Sequence, residues 1–147
     1  MTLKEQLNDA MKAAMKARDN LRLSAVRMVR AAISNREIDS RTELDDHAVV
    51  EVISTMVKQR RESIRMYREG NRLDLAEKEE LELAVLLEFL PAQLCPDEID
   101  SLVSRIILDL EAHGIKDMGR VMKAVAPLTA GKADGKVVSD AVRRLLA

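Results

Sequence analysis

Apolar residues recur along this chain at spacings of three and four, the repeat of a helix that buries one face. Leu3, Leu7, Met11 and Ala14 predict a first helix over residues 3–17, with Thr2 placed to cap it and Glu5 at capping-box spacing. Leu21, Ala25, Val29 and Ala32 predict a second helix, opening at Asp19 or Asn20 and running to about Ile38. Residues 39–44 read as a polar loop. Asp45 or Asp46 opens a long third helix whose stripe is Val49, Ile53, Met56, Val57, Ile64 and Tyr67. It is expected to end near Gly70, which suits a left-handed C′ position, with Asn71 as the next N-cap. A fourth helix follows over about residues 72–89, and its last turns, LAVLLEFL, are apolar on nearly every side and predict a buried end.

Pro91 and Pro96 then bracket a change of composition. Asp97 and Glu98 suit the start of a fifth helix, where acids favour the dipole. Ile99, Leu102, Val103, Ile106, Ile107 and Leu110 form its core face, and Gly114 is expected to end it. A sixth helix, about 118–126, carries Met118, Val121, Met122 and Val125 behind an Asp117 cap. A loop holding Pro127, Gly131 and Gly135 leads to a seventh helix over about 135–146. These elements predict an all-α protein in which N-terminal helical hairpins, residues 1–92, pack with a small three-helix bundle, residues 93–147.

Composition supports helices over sheets. With one Phe, one Tyr and no Trp, the core has to come from Leu, Val, Ile, Met and Ala. No apolar run approaches the roughly 20 residues of a membrane span, and the opening MTLKEQLNDAMK does not read as a signal peptide. The single cysteine, Cys95, excludes an internal disulfide and fits a reducing compartment. A cytoplasmic protein is the expectation.

A net charge of −1 conceals a strong pattern. Residues 1–72 carry 15 basic and 11 acidic side chains, residues 73–114 carry 2 and 11, and residues 115–147 carry 7 and 3. An acidic block therefore lies between two basic ones, which can attract each other or face an anionic partner. Near the end of the third helix, Arg61, Arg65, Arg68 and Arg72 share one face and have the spacing to follow successive phosphates. The fourth helix folds back with Asp74, Glu77, Glu79, Glu80 and Glu82, so intramolecular pairs are the simpler reading: Arg68 near Asp74, Arg65 near Glu77. Arg18, Arg22, Arg27 and Arg30 form no single clean face and read as ordinary solvated surface. The C-terminal set is Lys116, Arg120, Lys123, Lys132, Lys136, Arg143 and Arg144, with few acids nearby in sequence. Lys132 and Lys136 flank a loop whose glycines allow close approach to phosphate. This set is the preferred nucleic-acid surface, set against a merely solubilising one. Scarce aromatics disfavour base stacking, so any RNA contact reads backbone and shape.

Other chemistry finds little support. GKADG departs from a phosphate-binding P-loop, with Ala126 at the first glycine position and Ala133 after Lys132. His47 and His113 lie far apart and form no metal-ligand spacing, so no metal and no cofactor are expected. Cys95 has no evident base, and the run of Glu79, Glu80 and Glu82 reads as a solvated or ion-paired face rather than an acid–base pair.

Several segments together resemble the YqeY-like family over the whole length. They are the Met-Lys-Ala repeat at 11–16, LSAVRMVRAAI, VISTMVKQRRESIRMY, NRLDLAEKEELEL with Leu90-Pro91, DMGRVMKAV and GKADG. Residues 97–147 are also similar to the tail of the B subunit of the tRNA-dependent amidotransferase, through residues 119–124 and 131–134. The chain departs from that tail at Gly135, where the tail has Pro, and in the additional residues 127–130. The resemblance implies a helical N-terminal part, a three-helix tail and contact with tRNA, the amidation of Glu-tRNA or Asp-tRNA being done by other domains and subunits. It points to a tRNA- or RNA-binding accessory module with no catalysis of its own, with the amidotransferase or translation components as partners and neither DNA nor membrane expected. Two alternatives stand beside it: a protein-docking module using the acidic 73–114 block, and a carbon–nitrogen ligase activity exerted only within a complex.

Overall fold

Seven α-helices and one 3-10 turn follow one another in a computed structural model that describes residues 1–147. They are α1 (Leu3–Ala17), α2 (Asn20–Ser40), α3 (Asp46–Glu69), α4 (Leu73–Leu87), α5 (Pro96–Asp109), the turn Ile115–Asp117, α6 (Met118–Thr129) and α7 (Gly135–Leu146). There is no strand, and the fold is all-α. Thr2 and Glu5 form a reciprocal capping box at α1, Asp19 and Asp45 accept N–H groups of α2 and α3, and Pro96 opens α5.

The chain divides into two compact units, Met1–Pro91 and Ala92–Ala147. In the first, α1 packs against α2, and α4 packs against α2 and α3. Leu7, Ala25, Val26, Val29, Ile33, Val49, Val52, Ile53, Val57, Val85, Leu86 and Phe89 form its core. The apolar end of α4 is buried on one side only: Val85, Leu86 and Phe89 go in, while Ala84 and Glu88 stay exposed. In the second unit α5, α6 and α7 pack pairwise around Ile99, Val103, Val121, Val125, Val138, Val142 and Leu146. Val and Ile dominate both cores, and Phe89 is the one aromatic side chain buried in them.

Element ends differ from expectation in five places. The left-handed residue after α3 is Asn71 (φ 56°), not Gly70 (φ −83°). The N–H of Arg72 reaches back to Tyr67 O at 2.7 Å and that of Asn71 to Arg68 O at 3.1 Å, a Schellman closure centred one residue later. Arg72 then takes the N-cap position of α4, without a side-chain cap bond. α5 ends before Gly114, with left-handed Glu111 closing it the same way. Asp117 stands at the N-cap position of α6 without capping it through its side chain. Pro127 lies inside the last turn of α6, where its fixed φ suits a helix while the bond back to residue 123 is lost and the ring crowds that carbonyl. The Thr129 hydroxyl donates to Val125 O and Ala126 O and holds that turn closed.

Candidate nucleic-acid interface

Late in α3, Arg65 and Arg68 meet acids, though not the expected ones. Arg65 (55 % exposed) pairs with Glu62 and Glu69 of its own helix, both at 3.0 Å. Arg68 pairs with Glu80, and Arg72 lies 3.5 Å from Asp74. It is the Arg60 side chain that points inward, toward Glu79 and Glu82 of α4. Its Nη1 donates to Glu79 Oε2 at 2.5 Å and to Glu82, and its Nη2 lies 3.1 Å from Met28 Sδ. Arg60, Glu79 and Glu82 are only 12, 20 and 9 % exposed. This half-buried triad was not singled out by the sequence. Its signal is an arginine at core spacing (Val57, Arg60, Ile64) opposite two acids three apart in α4.

The C-terminal set divides by residue type. Arg120 lies 3.6 Å from Asp117, Arg143 lies 3.6 Å from Asp140, and Arg144 donates to Asp100 at 2.5 Å. Lys123, Lys132 and Lys136 are exposed, and no carboxylate comes within salt-bridge distance of them. Backbone bonds build the loop that carries Lys132. Its carbonyl accepts the Leu94 N–H at 2.8 Å, its N–H donates to Thr129 O at 2.9 Å, and Gly131 takes the left-handed conformation (φ 73°). Asp134 then caps α7 through the Lys136 N–H. The free ammonium groups thus sit on fixed backbone. Asp117 accepts the His113 N–H at 2.7 Å, which, more than nearby Arg120 and Lys116, holds its carboxyl below the usual range.

Arg27 and Arg30 are exposed, in keeping with a solvated surface. Together with Lys4, Asn8, Ser34 and Glu37 they line a cleft of about 400 Å³ between α1 and α2. Glu37 accepts Lys4 Nζ at 2.5 Å and the Leu44 N–H at 3.0 Å, and the lysine contact foremost keeps its carboxyl below the usual range.

No nucleophile stands beside a base. Cys95 is exposed at the start of α5, His47 is exposed and 3.7 Å from Glu51, and His113 is exposed. No group of three or more His, Cys, Asp or Glu side chains is placed to hold a metal ion. No helix is long and apolar enough to cross a membrane.

A model of the family described as Yqey-like protein matches residues 4–146. Among curated relatives, a protein of Vanderwaltozyma polyspora named altered inheritance of mitochondria protein 41, mitochondrial, is 36 % identical over 81 % of this chain and 66 % of its own length. The protein of the same name from Kluyveromyces lactis is 36 % identical over 71 % of this chain and 58 % of its own. That from Eremothecium gossypii is 32 % identical over 96 % and 79 %. The chain thus spans less than two thirds of the length of the first two. These names overturn the expectation of a cytoplasmic protein, since the relatives are mitochondrial. The expectation rested on one cysteine and no signal peptide, features that fit any reducing compartment and do not choose between two of them.

Proposed function

We propose that this chain, which belongs to the YqeY-like family, is an RNA-binding accessory module without catalysis of its own, with tRNA as its RNA. The observation that carries the reading is the contrast in the C-terminal unit. Its arginines are engaged by Asp117, Asp140 and Asp100, while Lys123, Lys132 and Lys136 stand exposed and uncompensated. An uncompensated ammonium on fixed backbone is the element that contacts phosphate and releases counterions. The resemblance of residues 97–147 to the amidotransferase tail supplies tRNA as the RNA class, and the amidotransferase or translation components as companions. The relatives' names make a mitochondrial setting the one to adopt. A carbon–nitrogen ligase activity would have to come from such companions, since no side-chain pair here activates a carboxylate or a nucleophile.

Docking of a protein through residues 73–114 gains less support. Asp74, Glu79, Glu80, Glu82, Glu88 and Asp100 already hold cations of this chain, six of the eleven acids in that block. The test is binding of the protein to total tRNA, with DNA duplex and rRNA fragments as competitors, across roughly 50–200 mM salt. Selective binding that weakens steeply with salt is expected. Lys123→Ala with Lys132→Ala should weaken it by about 10-fold or more, whereas Arg65→Ala with Arg68→Ala should lower melting temperature slightly and leave affinity nearly unchanged. Absence of binding at about 50 mM salt overturns the RNA reading. Equal losses from the two variant pairs move the site away from the C-terminal unit.

A further inference from the structure

We propose that the α1–α2 cleft of the N-terminal unit is a binding site for a phosphate group, separate from the lysine surface and independent of the RNA reading. The cleft, about 400 Å³, falls within the size range of small-ligand sites. Its charge is what selects an anion. At one end Lys4 and Glu37 satisfy each other at 2.5 Å, and the Leu44 N–H takes a further share of the carboxylate. That leaves Arg27 and Arg30 lining the same cleft with no carboxylate within salt-bridge distance; the one partner of the Arg30 guanidinium is the thioether of Met11, at 2.8 Å from Nη1. A thioether is a weak acceptor that a phosphate oxygen displaces readily.

The two arginines stand three apart on one helix, so their Cβ atoms are about 5–6 Å from each other. Guanidinium forks at that separation can take two edges of one tetrahedral anion, which a pair of lysines does less well. Asn8 and Ser34, also in the lining, add neutral donors for the remaining oxygens. The uncompensated charge of the cleft is two positive, and a phosphomonoester carries about −1.5 to −2 at neutral pH, against −1 for a single phosphodiester. The match therefore favours a terminal phosphate, as on a nucleoside monophosphate or at a 5′-phosphorylated RNA end.

The test is amide chemical-shift titration of the full chain with inorganic phosphate and with adenosine monophosphate, each to about 10 mM, a range that detects dissociation constants up to millimolar. Shifts confined to α1 and α2 are expected, with the nucleotide binding more tightly than phosphate alone. Arg27→Gln with Arg30→Gln should weaken binding about 10-fold or more. Ala31→Glu, at an exposed position lining the cleft, should abolish binding with the spectrum otherwise retained. Lys132→Gln should leave it unchanged. A 5′-phosphorylated RNA oligonucleotide that competes, where its 5′-hydroxyl counterpart does not, assigns the phosphate to an RNA end. Competition by neither assigns it to a free phosphomonoester. Either result upholds the site. No shifts with either probe, or shifts that persist in the double variant and in Ala31→Glu, overturn it. Loss of tRNA binding in the lysine variants with this titration intact would separate the two sites.

Discussion

Four residues bearing side chains, Arg18, Arg41, Asn71 and Glu111, occupy the left-handed region, and three of them close a helix in the Schellman manner. The long return bonds are Asp19 N–H to Ala14 O at 3.0 Å, Arg72 N–H to Tyr67 O at 2.7 Å and Ala112 N–H to Ile107 O at 3.0 Å. A left-handed non-glycine costs about 1–2 kcal/mol, less than burying the apolar face of the helix returns, so packing decides where each helix leaves the core. That is why glycine was a poor guide to these ends: it marks where the conformation is cheap, not where it is required. Glu111→Gly is therefore expected to stabilise the protein by about 1 kcal/mol. Gly114 offers the contrast. At φ 76° and ψ 173° it lies in a region reserved for glycine, and no atom lies within 4 Å of an added Cβ. Gly114→Ala should cost about 1–3 kcal/mol through backbone strain alone. Thermal unfolding of both variants checks the pair. A Glu111→Gly protein that is no more stable, or a neutral Gly114→Ala, would count against the argument.

Helix–helix contacts carry the next level, and the α3–α4 hairpin shows what charge does there. Arg60 serves two carboxylates, Glu79 and Glu82, in surroundings mostly closed to water. A lone exposed pair contributes little; a half-buried cluster is costly to break because the surviving charge is left without solvent. Arg60→Met is expected to destabilise by about 3 kcal/mol. Glu82→Gln alone should cost about 1 kcal/mol, yet in the Arg60→Met background it should restore at least that much, because it removes a charge that has lost its partner. Denaturant unfolding of the four proteins of this cycle measures the coupling. Zero coupling would mean that Arg60 acts only by packing. The helices themselves were legible because a core of Val, Ile and Leu needs only the 3.6-residue repeat, as at Val49, Ile53 and Val57. The pairing of Arg60 was not, because period alone does not say which arginine of a basic helix turns inward. Arg65, on the outer side, finds its acids within its own helix instead.

Charge across the whole molecule obeys a similar division. Residues 73–114 are acidic in composition, but six of their acids are held by cations of this chain, including Glu88 by Arg22 at 2.6 Å and Asp100 by Arg144 at 2.5 Å. The same pairing narrows the candidate RNA surface. Arg120, Lys123, Lys132, Lys136, Arg143 and Arg144 are equivalent in a sequence, which records charge but not its compensation; in three dimensions only the lysines are uncompensated. Arg27 and Arg30, ordinary solvated surface in the sequence, are exposed and line one cleft with Lys4, because α1 folds back against α2. The lysine assignment has a quantitative consequence for tRNA. Three phosphate contacts should give a log–log dependence of affinity on salt with a slope of about −2 to −3, and each lysine removed should reduce it by about 1. A slope near −6 would mean that the arginines leave Asp117, Asp140 and Asp100 when RNA binds, or that cations of the N-terminal unit take part. Those outcomes separate on mutation. Asp100→Asn should strengthen binding if Arg144 must be released first, since it removes the competing carboxylate, and should leave the slope untouched if the three lysines act alone.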